Sequence, residues 1–384
     1  MGNASLRRVA VIGVGMSKFG KQPETTMVDL GTEACQAAIR DADISPKDIE
    51  VGYCANLVPT TGCLAQEILS KVGVVNREIT NIENACAGGS TAVREVVYAI
   101  ATGRYDIGMA IGVDSMTTGV PRGPMATNDI DGQSGLSMPG WAAMIMRRYM
   151  KKYGATVEQF AQASVKNHHN GTMNPYAMYQ KEFTMEEILN SRMICDPLTL
   201  FMICPVTDGA AAAIFCSADK VAQYTSNPIW LAGSGLKTGG YTFFWEEIDV
   251  SPMGEQAAAE AYEMAGVGPE DLDLVELHDA FAATEIPNIE DLGVCPRGEA
   301  AHLTQEGFFD LGGKIPVNPS GGLLAQGHPL SASGVRQVCE ITWHLRGQAG
   351  KRQVEGAKVG VAHMEGGIVT GLQGGACGIS ILTR

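Results

Sequence analysis

The chain repeats itself, and that constrains its fold more than any other feature. RRVAVIGVGMSKF, from Arg7, reads as a strand running into a glycine turn, and PIWLAGSGLKT, from Pro228, has the same form. AIRDADISPKDIEVGYC, from Ala38, and AYEMAGVGPEDLDLVELHD, from Ala261, each read as an amphipathic helix, a proline turn and a strand. Within them Ala42, Pro46, Asp48 and Ile49 fall on Ala265, Pro269, Asp271 and Leu272 at one constant spacing. STAVREVVYAIATGR, from Ser90, matches ASGVRQVCEITWHLRG, from Ala332, with Val93 and Arg94 on Val335 and Arg336. YDIGMAIGV, from Tyr105, and AKVGVAHME, from Ala357, are each a buried strand after a helix that ends in glycine. Four matches in one order describe a duplicated β/α unit, with halves of 1–225 and 226–384. Between about 116 and 208 the first half carries an insertion. It contains the glycine- and proline-rich loop PRGPMATNDIDGQSGLSMPG and helical patterns at WAAMIMRRYMKKYG, VEQFAQASVKNHH and TMEEILNSRM, placed to shape a cavity or to act as a structural cap.

Composition narrows the class. Hydrophobic residues make up 45% and charged residues 18%, the balance of a packed soluble protein and not of a disordered one. A net charge of -14 disfavours general binding to nucleic acid or to an anionic membrane, so an anionic ligand needs a local basic patch or helix N-termini. No run approaches the roughly 18 apolar residues of a membrane span. MGNASLRRVAVIGVG lacks a secretory core and cleavage site, and Leu6 stands where a myristoylation signal needs Ser or Thr. A cytoplasmic protein is expected. The ten cysteines form no C-x-x-C pair and no metal motif, and buried reduced thiols are expected for all except Cys86 and Cys377.

Cys86 stands apart because ITNIENACAGGSTAVREVV places it where an extended run ends and a helical pattern begins. Unpaired N–H groups at a helix start favour a thiolate, so Cys86 is a candidate nucleophile with a lowered pKa. Two of the seven histidines could assist it. His328, in NPSGGLLAQGHPLSASGVRQ, ends an irregular loop that leads into the repeat partner of the Cys86 helix, so the two helix starts are expected to meet. His278, in ELHDAFAATEI, follows an apolar strand, where a strand's end presents side chains to a ligand crevice. His168, His169 and His363 make weaker cases, and His302 and His344 read as surface or helix positions.

These segments resemble the thiolase superfamily, and within it the sterol-carrier-protein type and archaeal-type thiolases. NACAGGS, SRMICDPLTLFMICPVTDGAAAAIF, HDAF and GGLLAQGHPLSASG carry the likeness over nearly the whole chain. The resemblance implies two βαβαβαββ halves in a five-layered α/β/α/β/α arrangement, a loop domain over the active site, and a dimer. It implies coenzyme A as cosubstrate, with no covalently bound cofactor and no metal, and for some members of this branch a small zinc-ribbon/OB-fold partner. By resemblance Cys86 accepts the acyl group, His328 takes the thiol proton, and His278 helps to form an oxyanion hole. Members of the superfamily use a second cysteine as acid/base, from a C-x-G motif or from H-D-C-F. Here Ala280 occupies the H-D-C-F position, the C-x-G position is expected near Gly371, and Cys377 is the remaining candidate, weighed against a buried strand residue. Gly88 stands where many relatives have Ser. A branched or aromatic 3-oxoacyl-CoA would suit such an altered site. Lys237, Arg192 and Arg122 are basic enough to grip the nucleotide of coenzyme A, though surface charge explains each equally well.

Overall fold

In the computed structural model, which describes residues 6–58, 60, 62–119, 130–240, 247–369 and 372–384, the repeat becomes two mirrored sets of strands. The strands are β1 (Val9–Met16), β2 (Val51–Ala55), β3 (Glu78–Ile82), β4 (Ile107–Ser115), β5 (Met193–Cys195), β6 (Leu198–Thr199), β7 (Asp208–Ser217), β8 (Ile229–Lys237), β9 (Leu274–Glu276), β10 (Val359–Val369) and β11 (Gln373–Thr383). Nine of them form one sheet in the order β3-β2-β4-β7-β1-β8-β11-β10-β9, while β5 and β6 make a small hairpin in the insertion. Read outward from the centre, β1, β7, β4 and β2 are answered by β8, β11, β10 and β9. The halves join where Val9–Val11 pairs antiparallel with Ile229–Leu231.

One strand of the expected pattern is missing from the second half among the described residues. Where β3 would have its counterpart, Val317 makes only an isolated parallel bridge to Val275. Pro316 and Pro319 flank that bridge and have no N–H to continue a ladder, and Asn318 turns to φ +53°. The chain then enters the loop that carries His328.

Helices cover both faces of the strands, which explains why β1, β4 and β7 are buried along their whole length. Met27–Ala42 packs on β1 and β7 outside the first half, and Pro252–Ala265 packs on β8 and β11 outside the second. Gly88–Ala101 and Leu330–Arg346 lie between the halves, the latter touching β4 and β7 on one side and β10 on the other. Helix, strand, helix, strand, helix gives five layers, with separate apolar cores above, between and below the strands.

Both halves use one device to seat the outer helix. A Cβ on Gly13 or Gly15 would lie 2.4 Å from the backbone of Ala38, and one on Gly233 or Gly235 would lie 2.1 or 2.0 Å from a carbonyl oxygen of Ala261 or Ala257. Helix and strand touch backbone to backbone, which only glycine permits. The insertion contributes the helices Met138–Tyr153, Val157–Gly171 and Met185–Leu189, as the patterns suggest; part of its glycine- and proline-rich loop lies outside the described residues. No helix among the described residues is long and apolar enough to cross a membrane.

Candidate active site

The two central helices begin at one point. A Cβ on Gly89 would stand 2.2 Å from Ser331 O, and one on Gly334 would stand 2.5 Å from Ser90 N, so the helix starts press backbone against backbone. Gly88 is tight as well, its missing Cβ 3.1 Å from Ala55 Cβ and 3.2 Å from Ser331 Oγ. Buried Asp114, at the end of β4, pins the contact by accepting the N–H groups of Leu57, Val58 and Ser331 at 2.9, 2.8 and 2.7 Å.

Cys86 sits in the single turn Ala85–Ala87 that precedes Gly88–Ala101, and Ala85 before it is held at φ +47°. The second half supplies the rest. His278 follows β9 by two residues, its backbone N–H donating to His363 Nδ1 at 3.3 Å and its carbonyl accepting from Asn288 Nδ2 at 2.8 Å. His328 sits between the short helix Gly322–Gln326 and Leu330–Arg346. The reactive atoms of Cys86, His278 and His328 all lie within 4.8 Å of one another, and the two imidazole centroids are 5.3 Å apart.

The tautomer of His328 follows from its partner. The single hydroxyl hydrogen of Ser333 is directed to Pro329 O at 3.0 Å, so Ser333 Oγ accepts from His328 Nδ1–H at 2.8 Å. That leaves Nε2 with a free lone pair, buried without a partner among the described residues. A base is thereby aimed into the site.

Electrostatics correct one expectation. The Cys86 thiol is pushed up to about 12, first by burial and then by the charge of Asp114, although the backbone N–H groups of Gly367 and of Cys86 itself reach its sulfur and act in the opposite direction. Burial outweighs the helix field, so the resting pair is neutral thiol and neutral imidazole. Burial also draws His278 down to about 4, with Arg336 assisting, and holds His328 well below the usual imidazole range, with His278 and Arg336 assisting. Gly366 lets the end of β10 approach the Cys86 turn this closely, since its Cβ would lie 2.4 Å from Ala87 N.

The His328 loop is built into the protein by buried charge. Glu276 accepts from Ser320 N at 3.0 Å, from Ser320 Oγ at 2.7 Å and from Arg336 at 2.6 Å, while Arg336 also donates to Gln326 Oε1 at 3.1 Å. Asp279, beside His278, accepts from Leu323 N at 2.7 Å, Leu324 N at 3.2 Å and Asn167 Nδ2 at 2.8 Å. One residue of the HDAF segment thus joins the thiol–imidazole cluster while the next fastens the loop that brings His328.

Cys377 does not join this group. In β11 it pairs in register with Glu365 of β10, and its sulfur clusters within 4.8 Å of His363 and Glu365. Burial and the charges of Glu365 and Asp291 hold its pKa well above the thiol range. Gly371 and Arg122 lie outside the described residues; Lys237 is paired with Glu260 at 2.5 Å, and Arg192 is exposed. His344, read as a surface or helix position, is a buried helix residue that accepts from Val354 N at 3.0 Å. His363, a weaker case in the sequence, accepts from His278 N at 3.3 Å, and Cys204 is a neighbour that the sequence left among the ordinary thiols. Cys204 N donates to Ala280 O at 2.9 Å, beside an isolated antiparallel bridge between Ile203 and Phe281.

A half-buried thiol with two imidazoles within 4.8 Å, set in a duplicated five-layer fold, is the kind of arrangement that cysteine-dependent acyl transfer requires. The sequence comparisons are specific about which kind. Residues 9–219 match the family model "Thiolase, N-terminal domain" and residues 245–373 match "Thiolase C-terminal domain-like", so the chain belongs to the thiolase family. It is 40% identical to the acetyl-CoA acetyltransferase of Methanothermobacter thermautotrophicus, over 99% of this chain and 100% of that one. It is 37% identical to the benzoylsuccinyl-CoA thiolase subunit BbsB of Thauera aromatica, over 94% and 95%. Among solved structures, the Ltp2-ChsH2(DUF35) aldolase covers 98% of both chains at 26% identity with a TM-score of 0.86.

Proposed function

We propose that this thiolase cleaves a 3-oxoacyl-CoA with coenzyme A, or runs the reverse Claisen condensation, through an acyl group carried on Cys86. The observation that carries the reading is the meeting of the Cys86 sulfur with one ring nitrogen each of His278 and His328 within 4.8 Å. With substrate bound, the Cys86 proton passes to His328 Nε2 as sulfur attacks the 3-oxo carbon. The neutral resting pair suits this order, because the proton moves only when an electrophile is present. Negative charge developing on the carbonyl oxygen meets the N–H groups of Cys86 and Gly367, and loss of one such donor typically costs about 10²- to 10³-fold in rate. His278 and His328 stabilise the enolate left on the departing acetyl unit.

The likeness to BbsB supports a branched or aromatic acyl group, and the word subunit in its name, like the two components joined in the name of the aldolase, supports a partner chain, for which the family resemblance implies a small zinc-ribbon/OB-fold protein. The outermost position of β3, with one edge unpaired among the described residues, supports a homodimer, and ten free cysteines support the reducing cytoplasm. The near agreement of the matched spans with the repeat supports halves of 1–225, carrying the insertion at about 116–208, and 226–384.

Mass spectrometry after brief exposure to a panel of acyl-CoA thioesters tests this. An acyl mass on the Cys86 peptide, absent from Cys86→Ala and removed by free coenzyme A, is expected. Coenzyme A binding without any acyl label on Cys86 would refute it.

A further inference from the structure

Carbon–carbon cleavage needs a second proton-handling group. When the C2–C3 bond of the 3-oxoacyl thioester breaks, its electron pair stays on C2, and that carbon must be protonated while His328 still holds the Cys86 proton. The geometry points to Cys204 as that acid, an assignment that rests on the thiolase reading above.

Three observations converge on it. The segment bearing Cys204 lies antiparallel against the HDAF segment, with Ile203 opposite Phe281 and the Cys204 N–H bonded to Ala280 O, so residues 204 and 280 are direct cross-strand neighbours. Such neighbours point to the same side, with Cβ atoms about 4.5–5.5 Å apart. Ala280 follows His278 of the thiol–imidazole cluster by two residues in the same segment, while Asp279 between them is held by the loop at Leu323. Ala280 has no functional side chain, so the thiol of Cys204 across the bridge is the group that can add a proton donor to His278 and His328 here.

The second observation is that Cys204 and Cys86 pack against the same apolar cluster. Burial, followed by the negative charges that Asp279 and Cys86 can carry, raises the Cys204 thiol and keeps it protonated at rest, as an acid needs. The third is the open chemistry in the two neighbouring segments: among the described residues, His278 Nε2 and His328 Nε2 are buried without a hydrogen-bond partner. Cys377, the other candidate, faces His363 and Glu365 instead.

The protons balance. Cys86 gives its proton to His328 Nε2 as the S–C3 bond forms, and the tetrahedral adduct collapses with rupture of C2–C3. Cys204 S–H protonates C2 and becomes a thiolate, and the acetyl thioester leaves. Incoming coenzyme A gives its S–H proton to Cys204, its sulfur attacks the acyl group, and Cys86 departs with the proton held by His328. No oxidant, reductant or further reactant is required.

The test separates carbon chemistry from sulfur chemistry. Cys204→Ser, Cys204→Ala and Cys377→Ala would each be assayed for acyl-Cys86 formation by mass spectrometry and for deuterium entry at C2 of acetyl-CoA in D2O. A thiolate leaves without much help and a carbon acid does not, so acylation in the Cys204 variants should stay within about tenfold of the unmodified enzyme. General acid–base catalysis is worth about 10²- to 10⁴-fold, and deuterium exchange should fall by that much in both Cys204 variants while Cys377→Ala exchanges normally. Acylation of Cys86 also reports that a variant has folded. In the double variant Cys204→Ala/Ala280→Cys, which returns the thiol from the neighbouring strand, exchange should recover at least tenfold, a rescue that a packing role would not produce. Exchange within threefold of normal in both Cys204 variants, with Cys86 acylated, would overturn the assignment. An unmodified chain that neither acylates nor exchanges would remove the thiolase reading itself, and with it the role of Cys204.

Discussion

Replacing Arg336 with Met should destabilise the protein sharply, in a way that depends on pH. The guanidinium is fully buried and donates to Glu276, Ser320 and Gln326, and the Glu276 side chain is equally inaccessible. Removing one partner of a buried ion pair leaves an uncompensated charge and costs about 3–5 kcal/mol. Unfolding entropy of roughly 2.1 cal/mol/K per residue over 384 residues gives about 0.8 kcal/mol/K, so the melting temperature should drop by about 4–6 °C. Burial already raises the Glu276 pKa, with Arg336 opposing the rise, and without Arg336 it climbs further. A carboxyl whose folded-state pKa exceeds its unfolded value stabilises the fold below the unfolded pKa and loses that contribution as pH rises through the folded one. Arg336→Met should therefore lose less at pH 5 than at pH 8, and Arg336→Met/Glu276→Gln should recover most of the loss. Scanning calorimetry of the three proteins at both pH values measures this. A single variant that melts within 1 °C of the parent at pH 8, or a double variant as unstable as the single, would refute the account.

Further outcomes follow from the same geometry. Because burial raises the Cys86 thiol to about 12, alkylation of Cys86 by iodoacetamide should be slow at pH 6 and accelerate about tenfold per pH unit up to pH 9; a plateau below pH 8 would mean that the helix field wins after all. Gly366→Ala forces a Cβ against Ala87 N and displaces the neighbouring Gly367 N–H, so turnover should fall at least ~10²-fold while overpacking costs about 1–3 kcal/mol of stability; measurable activity near normal would separate that donor from catalysis. The sulfur and two imidazole nitrogens within 4.8 Å form a donor set suited to zinc, so Zn2+ added to the enzyme should compete with acyl-CoA and be reversed by a chelator, whereas Mg2+ should do nothing.

Much of this arrangement can be read from the chain alone because duplication writes each element twice. Gly13 and Gly15 against Gly233 and Gly235, or Pro46 against Pro269, reveal an architecture that either copy alone would leave ambiguous. Cys86 and His328 are legible for the same reason, since each stands at the start of one of two equivalent helices. What escapes is whatever depends on pairing across the fold. Cys377 alternates between faces that are both apolar, so the sequence cannot say that its register partner is Glu365. Cys204 becomes a neighbour of Ala280 only once an antiparallel bridge has formed. The thiol pKa depends on burial, and a helix start seen in sequence carries the field but not the desolvation that opposes it. The absent third strand of the second half is foreshadowed by Pro316 and Pro319, yet a parallel ladder is scored by its partner strand, and only the fold shows how little of one remains.

The meeting of two equivalent helix starts has a consequence for how such an enzyme is inherited. A duplicated unit would at first present the same groups twice across its pseudo-twofold axis, two nucleophiles or two bases, and neither set can work on itself. The present chain has a thiol at one helix start and an imidazole at the other, so chemistry here is the product of asymmetry within a symmetric frame. That asymmetry is what copying would remove: the second half written over the first would place an imidazole at both helix starts and a thiol at neither.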